Sequence, residues 1–176
     1  ASDGESALRA IHAVQPDVVV AHAALPLMNG ISLLEALRRE QDGIRSIILV
    51  PLHDRELMRE AMSSQADAFL LTTDLPQHIA RTARALQAGE RFVCPLLAAC
   101  SSTLLNDAIP SRVRETLSEE QMQLFRQIVA QRNGSQIGKA LDLPAPEVAR
   151  LRIGLCERLH RMPESRGKTF RPSELL

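Results

Sequence analysis

One histidine stands where an apolar segment ends and a loop begins. The stretch VVVAHAALPLMNG runs from Val18 to Gly30 and places His22 directly after the apolar residues. A buried strand followed by a loop with Pro26 and Gly30 presents one side chain at a fixed point. His22 is therefore the first candidate for a functional residue.

Two further groups could join His22 in a metal site. His53 and Asp54 follow another apolar run, and two imidazoles with a carboxylate can hold a borderline metal ion. We prefer the interpretation that His22 is a tolerated polar residue in a pocket that binds no metal and catalyses no reaction. No metal, cofactor or catalysis is therefore predicted, and a small-molecule ligand in the pocket is an open alternative.

Short, continuously apolar runs predict the strands that would position these groups. Such runs are typical of central parallel strands rather than of half-exposed antiparallel ones. The predicted strands are Asp17–Ala21, Ser46–Val50 and Ala68–Leu71. His22 and Thr72 then lie at the carboxyl ends of strands, the edge that carries function in such sheets.

Helical periodicity alternates with these runs. The predicted helices are Glu5–Val14, Ser32–Glu40, Arg55–Ser63 and Gln77–Ala88. Alternation of this kind predicts βαβ crossovers and an α/β doubly wound parallel sheet. A further helix, Cys94–Asn106, leads to a break at Asp107–Ser111 that predicts a domain boundary.

The rest of the chain predicts an all-α domain. The predicted helices are Glu119–Gln131, Ser135–Leu141 and Ala145–Arg161. Short helices joined by tight turns are typical of a helix-turn-helix unit. The predicted domains are thus residues 1–95 (α/β), 96–111 (a linker helix and linker) and 112–176 (helix-turn-helix).

Charge and cysteine content limit the class of protein. The net charge is zero, but residues 112–176 hold twelve Lys and Arg against eight Asp and Glu, which permits a nucleic-acid partner there. Three cysteines without a C-x-x-C pair argue against disulfides and zinc and indicate a reducing cytosol. The sequence has no apolar run of membrane-spanning length and no secretory leader, so a cytoplasmic protein without a membrane partner is predicted.

Several segments resemble one protein family. SDGESAL, QPDVVVAHAALPLMNGISLLEALR and AGERFVCP are similar to the receiver domain of NarL/FixJ-type response regulators. LSEEQMQLFRQIVAQRNGSQIGKALDLPAPEVARLRIGLCERLHRM resembles the LuxR-type helix-turn-helix that follows this receiver in the family. The family has a strand, a helix and a second strand before SDGESAL, so the resemblance implies an N-terminally incomplete, flavodoxin-like receiver. The His22 strand would then be an unpaired edge, which a dimer partner or an N-terminal segment would cover.

The resemblance also implies that phosphorylation chemistry is lost. Receivers phosphorylate an aspartate beside Mg²⁺, and a Thr or Ser hydroxyl and a Lys ammonium respond to the new charge. These three positions correspond to His22, Val50 and Thr72 in this sequence. The resemblance therefore implies a pseudo-receiver that aspartyl phosphate does not switch.

The third helix of a LuxR-type domain lies in the major groove of double-stranded DNA. By this resemblance Arg150 would donate to guanine and Ile153 would contact a thymine methyl group, while flanking groups would hold phosphates. The family usually has Lys at the position of Ala149 and a polar residue at that of Ile153. The predicted DNA-binding residues are Ser135, Gln136, Ala149, Arg150, Ile153, Arg158 and Arg161.

The predicted function is a DNA-binding transcriptional regulator that is not an enzyme. It would act as a homodimer, or as a heterodimer with another regulator. The alternative is a protein–protein adaptor that pairs with another regulator and makes little DNA contact. Ala149 and Gly154, which carry no base-reading group, favour this alternative.

Overall fold

Helices alternate with parallel strands up to residue 94, and only helices follow. The structure is a computed structural model that describes residues 1–40, 43–52, 54–106, 108–130 and 132–162. The chain divides into two units, with the boundary between Cys94 and Pro95. His53, Gln131 and residues 163–176, on which parts of the predictions fall, lie outside the described residues.

The first unit is a parallel α/β sheet, as predicted. Its sheet has the order β1-β2-β3-β4, and every adjacent pair is parallel. The elements are α1 (Gly4–Val14), β1 (Val18–His22), α2 (Gly30–Glu40), β2 (Arg45–Val50), α3 (Arg55–Ser63), β3 (Ala68–Leu71), a 3-10 turn (Thr72–Asp74), α4 (Leu75–Gln87) and β4 (Phe92–Val93).

One strand was missed by the sequence prediction. β4 is two residues long and extends the sheet beside β3, where Ala68 pairs with Phe92. Two residues give no readable alternation of apolar and polar side chains, so periodicity could not identify this strand.

Burial explains why β3 is apolar throughout. All four residues of β3 are buried, because the strand has β2 on one side and β4 on the other. β1 differs, because within the described residues it pairs with β2 alone. Val19 and Ala21 of β1 are buried, whereas Val18 and Val20 are 38% and 45% exposed. One face of β1 thus carries partly exposed apolar side chains.

The second unit is all helical. Its elements are α5 (Pro95–Asn106), α6 (Ser111–Thr116), α7 (Glu119–Val129), α8 (Gly134–Leu141) and α9 (Ala145–His160). α5, which the sequence placed in the linker, packs against α7 and α9. Leu124 and Phe125 of α7 and Leu155 of α9 are buried in the core of this unit.

The expectation of three helices after the linker was wrong, because α6 forms a further one. α6 has six residues and buries Val113. Pro110 occupies its N-cap position without a side-chain cap. A helix of fewer than two turns does not repeat its apolar face, so the pattern gave no signal.

Candidate functional site

The carboxyl ends of three strands meet around His22. His22 ends β1, Val50 ends β2, and Thr72 follows directly after β3. Val50 is fully buried, so its side chain belongs to the core. The Nε2 atom of His22 lies 3.2 Å from the Oγ1 atom of Thr72. A hydrogen bond thus joins two of the three predicted receiver positions, His22 and Thr72, while the third, Val50, is buried.

The hydrogen bonds of His22 assign its tautomer. The backbone N–H of Ala24 donates to Nδ1 of His22 over 3.1 Å. A ring nitrogen that accepts a hydrogen bond carries no proton, so the proton of the neutral ring is on Nε2. Nε2 therefore donates to the hydroxyl of Thr72, and both ring nitrogens are engaged.

The loop after β1 is fixed by backbone contacts. The N–H of Ala23 donates to the carbonyl of Leu49 at 2.9 Å, and the N–H of Gly30 donates to the carbonyl of Ala23 at 3.0 Å. A Cβ atom at Gly30 would collide with the carbonyl oxygen of His22. The start of α2 thus lies directly against the end of β1, which explains why position 30 is a glycine.

The metal alternative lacks assembled ligands in the described chain. Asp54 is the N-cap of α3, where its Oδ1 accepts from the N–H of Leu57 at 2.9 Å. His53 lies outside the described residues. Among the residues that the structure describes, no three His, Cys, Asp or Glu side chains are grouped as metal ligands.

A second candidate site lies on α8 and α9, which a tight turn connects. Asp142 ends α8 in the left-handed conformation, with φ of 54°, and its N–H donates to the carbonyl of Gly138. A Cβ atom at Gly138 would lie 2.8 Å from the carbonyl oxygen of Leu143. Glycine therefore permits the close approach of the turn to α8, and the pair forms a helix-turn-helix.

The two faces of α9 differ in character. One face carries Val148, Leu155 and Leu159, which are buried in the core of the second unit. Ala149 and Arg150 are exposed. Ile153 is a large apolar side chain, and it is 44% exposed. The residues predicted to read bases thus lie on the solvent side of α9.

The arginines of α9 have partners within the protein. Arg150 forms an ion pair with Glu147, three residues earlier on the same helix. The Nε–H of Arg158 donates to the carbonyl of Thr116 at 3.0 Å, which ties α9 to the end of α6. Arg161 is exposed and is the C-cap of α9. Arg158 therefore has a structural contact in addition to its predicted phosphate contact.

The start of α8 carries the remaining predicted residues. Ser135 and Gln136 are exposed. Gln136 forms a capping box with Asn133, because its N–H donates to Oδ1 of Asn133 and its Oε1 accepts from the N–H of Asn133, both over 2.9 Å. The side-chain oxygen of Gln136 is thus used in starting the helix.

Sequence reasoning missed three of these partners. Glu147 could have been found, since it stands three residues before Arg150 on a predicted helix. Asn133 could have been found too, because Asn followed by Gln three residues later matches a capping box. The carbonyl of Thr116 gave no signal, because its contact with Arg158 spans 42 residues of chain.

No helix among the described residues has the length and apolar character that a membrane span requires.

Comparison with known proteins agrees with this architecture. Residues 1–81 match the family model of the response regulator receiver domain. The chain is 25% identical over 147 residues to the nitrate/nitrite response regulator protein NarL of Escherichia coli K12, covering 81% of this chain and 67% of NarL. It is 22% identical over 158 residues to the DNA-binding transcriptional activator EvgA of the same organism, covering 90% of this chain and 76% of EvgA.

A solved structure shows the same fold. The structure of two RcsB dimers bound to two parallel DNAs aligns with a TM-score of 0.52 and 14% identity, covering 90% of this chain and 75% of that chain. The receiver match covers most of the first unit, and the alignments continue through the helix-turn-helix. This chain is therefore similar to response regulators along most of its length, and its first unit matches their receiver domain.

Proposed function

We propose that this protein is a DNA-binding transcriptional regulator whose receiver unit is not switched by aspartyl phosphate. One observation carries the DNA-binding part: α9 of the helix-turn-helix has a buried stripe on one side and exposes Arg150 and Ile153 on the other. The relative EvgA, which is named as a DNA-binding activator, aligns along 90% of the chain and supports the same assignment.

The exposed side of α9 supplies what a major groove requires. The Arg150 guanidinium can donate to O6 and N7 of guanine, once it leaves Glu147. Ser135 lies on the first turn of α8, where backbone N–H groups favour phosphate oxygens. Arg161, at the end of α9, is a second phosphate contact. Gln136 and Arg158 contribute to phosphate binding through those side-chain N–H groups that their hydrogen bonds within the protein do not use.

The receiver part rests on the bond between His22 and Thr72. Aspartyl phosphorylation requires a carboxylate nucleophile with a hydroxyl and an ammonium group around it. The corresponding positions hold a neutral imidazole, a buried isopropyl group at Val50 and a hydroxyl already bonded to the imidazole. Regulation would instead pass through dimerisation, a ligand or the amount of protein.

DNA binding is tested by fluorescence anisotropy of a labelled duplex with the whole chain. We expect binding that weakens steeply with salt, because phosphate contacts release counterions. Arg150→Ala should weaken binding roughly tenfold, since a bidentate contact to guanine contributes about 1–3 kcal/mol. Arg39→Ala, an exposed arginine on α2 of the first unit, is the matched control and should bind like the unmodified protein. Absence of duplex affinity even at low salt would refute the proposal.

Phosphorylation is tested separately by intact-mass measurement. The protein is incubated with Mg²⁺ and acetyl phosphate, and no phosphate adduct is expected on a carboxylate. Duplex affinity should be the same before and after the treatment. An acyl phosphate adduct that changes the affinity would contradict the pseudo-receiver assignment.

The adaptor remains a second candidate, and the outer face of α9 favours it. Ala149 on this face is exposed and carries no group that reads bases by hydrogen bonds. The adaptor predicts that the chain alone has no duplex affinity and gains it only with a partner regulator. The anisotropy experiment therefore distinguishes the two functions. Light scattering of the purified chain reports whether it forms a homodimer.

A further inference from the structure

A cleft lies between α2 and the segment that joins α3 to β3. Its volume is about 390 Å³, which is within the range of pockets that bind small molecules. Ile31, Leu34 and Ala66 line it and are buried, so part of its surface is apolar. The joining segment precedes β3, whereas Thr72 follows β3. The cleft is therefore at the opposite end of the sheet from the receiver positions.

One wall of the cleft is held in place by Arg38. Nη1 of Arg38 donates to Oε1 of Gln65 at 3.1 Å, and Nη2 donates to the carbonyl of Gln65. Nη2 also lies 3.6 Å from the carboxylate of Asp67, which accepts from the N–H and the hydroxyl of Ser46, both at 2.9 Å. These contacts tie α2 to the segment before β3. The cleft is therefore formed before a ligand arrives, and a ligand does not have to order it.

Arg39 is a cation of this cleft whose charge the protein leaves unpaired. Arg38 shares Asp67 with Arg45, whose Nη1 lies 3.5 Å from the carboxylate. Arg39 follows Arg38 on α2 and has no hydrogen bond or ion pair with the residues that the structure describes. Glu35, four residues earlier, has the spacing for an ion pair with Arg39 but does not form one. An unpaired arginine is ordinary on an open surface, whereas this one borders an apolar cleft.

The polar part of the cleft favours a negative group. Its charged lining residues are two arginines and one glutamate, which leaves one positive charge in excess. Carbonyl groups at the end of α3 would oppose an anion, but the N–H of Ser64 donates to those of Glu60 and Ala61. The hydroxyl oxygen of Ser64, which also lines the cleft, accepts from the N–H of Ala66 at 3.4 Å. The hydroxyl proton of Ser64 is thus available to a ligand.

These groups define a class of ligand. A guanidinium binds carboxylates and phosphates through parallel N–H groups, and an apolar surface binds the carbon skeleton that carries them. We infer that the cleft binds a small organic anion. Its apolar body contacts Ile31, Leu34 and Ala66, and its carboxylate or phosphate accepts from Arg39 and Ser64. This site is in the first unit alone, so the inference does not depend on the proposed DNA-binding function.

The test is an NMR titration of the whole chain, isotope-labelled in its Ile and Leu methyl groups, with benzoate and with phenyl phosphate. We expect the methyl resonances of Ile31 and Leu34 to shift and to saturate, with a dissociation constant of roughly 1 mM for probes of about ten atoms. The probe that binds more tightly identifies the anionic group as carboxylate or phosphate. Benzyl alcohol, which has the ring without the charge, should bind at least roughly fivefold more weakly.

Two arginine variants locate the charge that binds the probe. Arg39→Ala should weaken binding roughly fivefold, the factor that corresponds to about 1 kcal/mol for an exposed charged contact. Arg84→Ala removes an exposed arginine of α4 that does not line the cleft, and it should bind the probe like the unmodified protein. Circular dichroism checks that both variants retain their helices. The titration contains no DNA and the anisotropy experiment contains no probe, so the two measurements on Arg39→Ala are independent.

Three results would show that the inference is wrong. The first is that neither probe shifts Ile31 and Leu34 at roughly ten times the expected dissociation constant. The second is an equal loss of affinity in Arg84→Ala and Arg39→Ala, which would mean that the probe responds only to net charge. The third is a shift of the Ile153 methyl groups without one at Ile31, which would place the anion on the second unit. Each of these results leaves the proposed DNA-binding function standing.

Discussion

The imidazole of His22 and the hydroxyl of Thr72 form a hydrogen bond of 3.2 Å across the ends of β1 and β3. The two strands are not neighbours, because β2 lies between them in the sheet. The bond therefore links the ends of the two strands that flank β2, whose last residue is Val50. It also fixes the orientation of the ring, whose other nitrogen accepts from Ala24.

Removing the hydroxyl of Thr72 should loosen this link. Thr72→Val keeps the shape of the side chain and should reduce the free energy of unfolding by about 1 kcal/mol or less, since Thr72 is exposed. Because the chain has no Trp or Tyr, urea unfolding is followed by circular dichroism. Thr72→Ser, which keeps the hydroxyl, is the control and should retain the stability. A shift of the His22 Nε2 nitrogen resonance in Thr72→Val, absent in Thr72→Ser, would identify the lost bond.

Gly30→Ala should destabilise the first unit strongly. The new Cβ atom would meet the carbonyl oxygen of His22, and neither backbone can move without disturbing β1 or α2. We expect a loss of about 3 kcal/mol in the free energy of unfolding, at the upper end for overpacked sites. Gly134→Ala is the matched control, because a Cβ atom there has no neighbour within 4 Å. Gly134 is the first residue of α8, so Gly134→Ala should leave the free energy of unfolding unchanged or raise it by up to about 1 kcal/mol. Equal stability of the two variants would contradict the close contact.

The start of α1 should depend on acid pH. The backbone N–H of Ser6 donates to Asp3 at 2.7 Å, and this bond, with the Ser6 side chain, lowers the pKa of the carboxyl below its ordinary value. A lowered folded-state pKa means that the cap stabilises α1 above the ordinary Asp pKa of about 3.9 and is lost as the pH falls through the lower folded-state value. In this pH range, hydrogen exchange of the first amides of α1 should become faster relative to the intrinsic exchange rate of these amides. Asp3→Asn, which caps without titrating, should not show this dependence.

Glu147 should restrain DNA binding through Arg150. Glu147→Gln removes the ion pair and a negative charge from the same helix face. Exposed ion pairs contribute about 1 kcal/mol at most, so we expect duplex affinity to rise by no more than roughly fivefold. Anisotropy at several salt concentrations measures the gain, which should be greatest at low salt. Glu35→Gln, an exposed carboxylate of α2, should leave the affinity unchanged, and a similar gain in both variants would indicate only an effect of net charge.

The long elements could be predicted from the sequence because each repeats its pattern. β3 was predicted with its observed bounds, since AFLL is buried on both faces and therefore continuously apolar. α3 was also predicted with its observed bounds, and Asp54 marks its N-cap. α6 and β4 are each too short to complete two periods of a recognisable pattern, and both were missed.

The contacts of the candidate sites could be predicted only where they are local. The pair Glu147 and Arg150 follows from helical spacing alone. The bond between His22 and Thr72 spans 50 residues, and nothing in either local sequence indicates that the two side chains meet. The strand order places their backbones at one edge, but the ring orientation depends on the N–H of Ala24, which only the folded loop provides.

The contact between Gly138 and Leu143 bears on how this protein can diverge. The angle between α8 and α9 is set by backbone atoms and by buried side chains such as Val148, none of which touches the outer face of α9. Ala149, Arg150 and Ile153 are thus free to change without altering the frame that holds them. Under the proposed DNA-binding function, a preference for another DNA target can evolve through substitutions on the outer face of α9, whereas a side chain at Gly138 would collide with the turn.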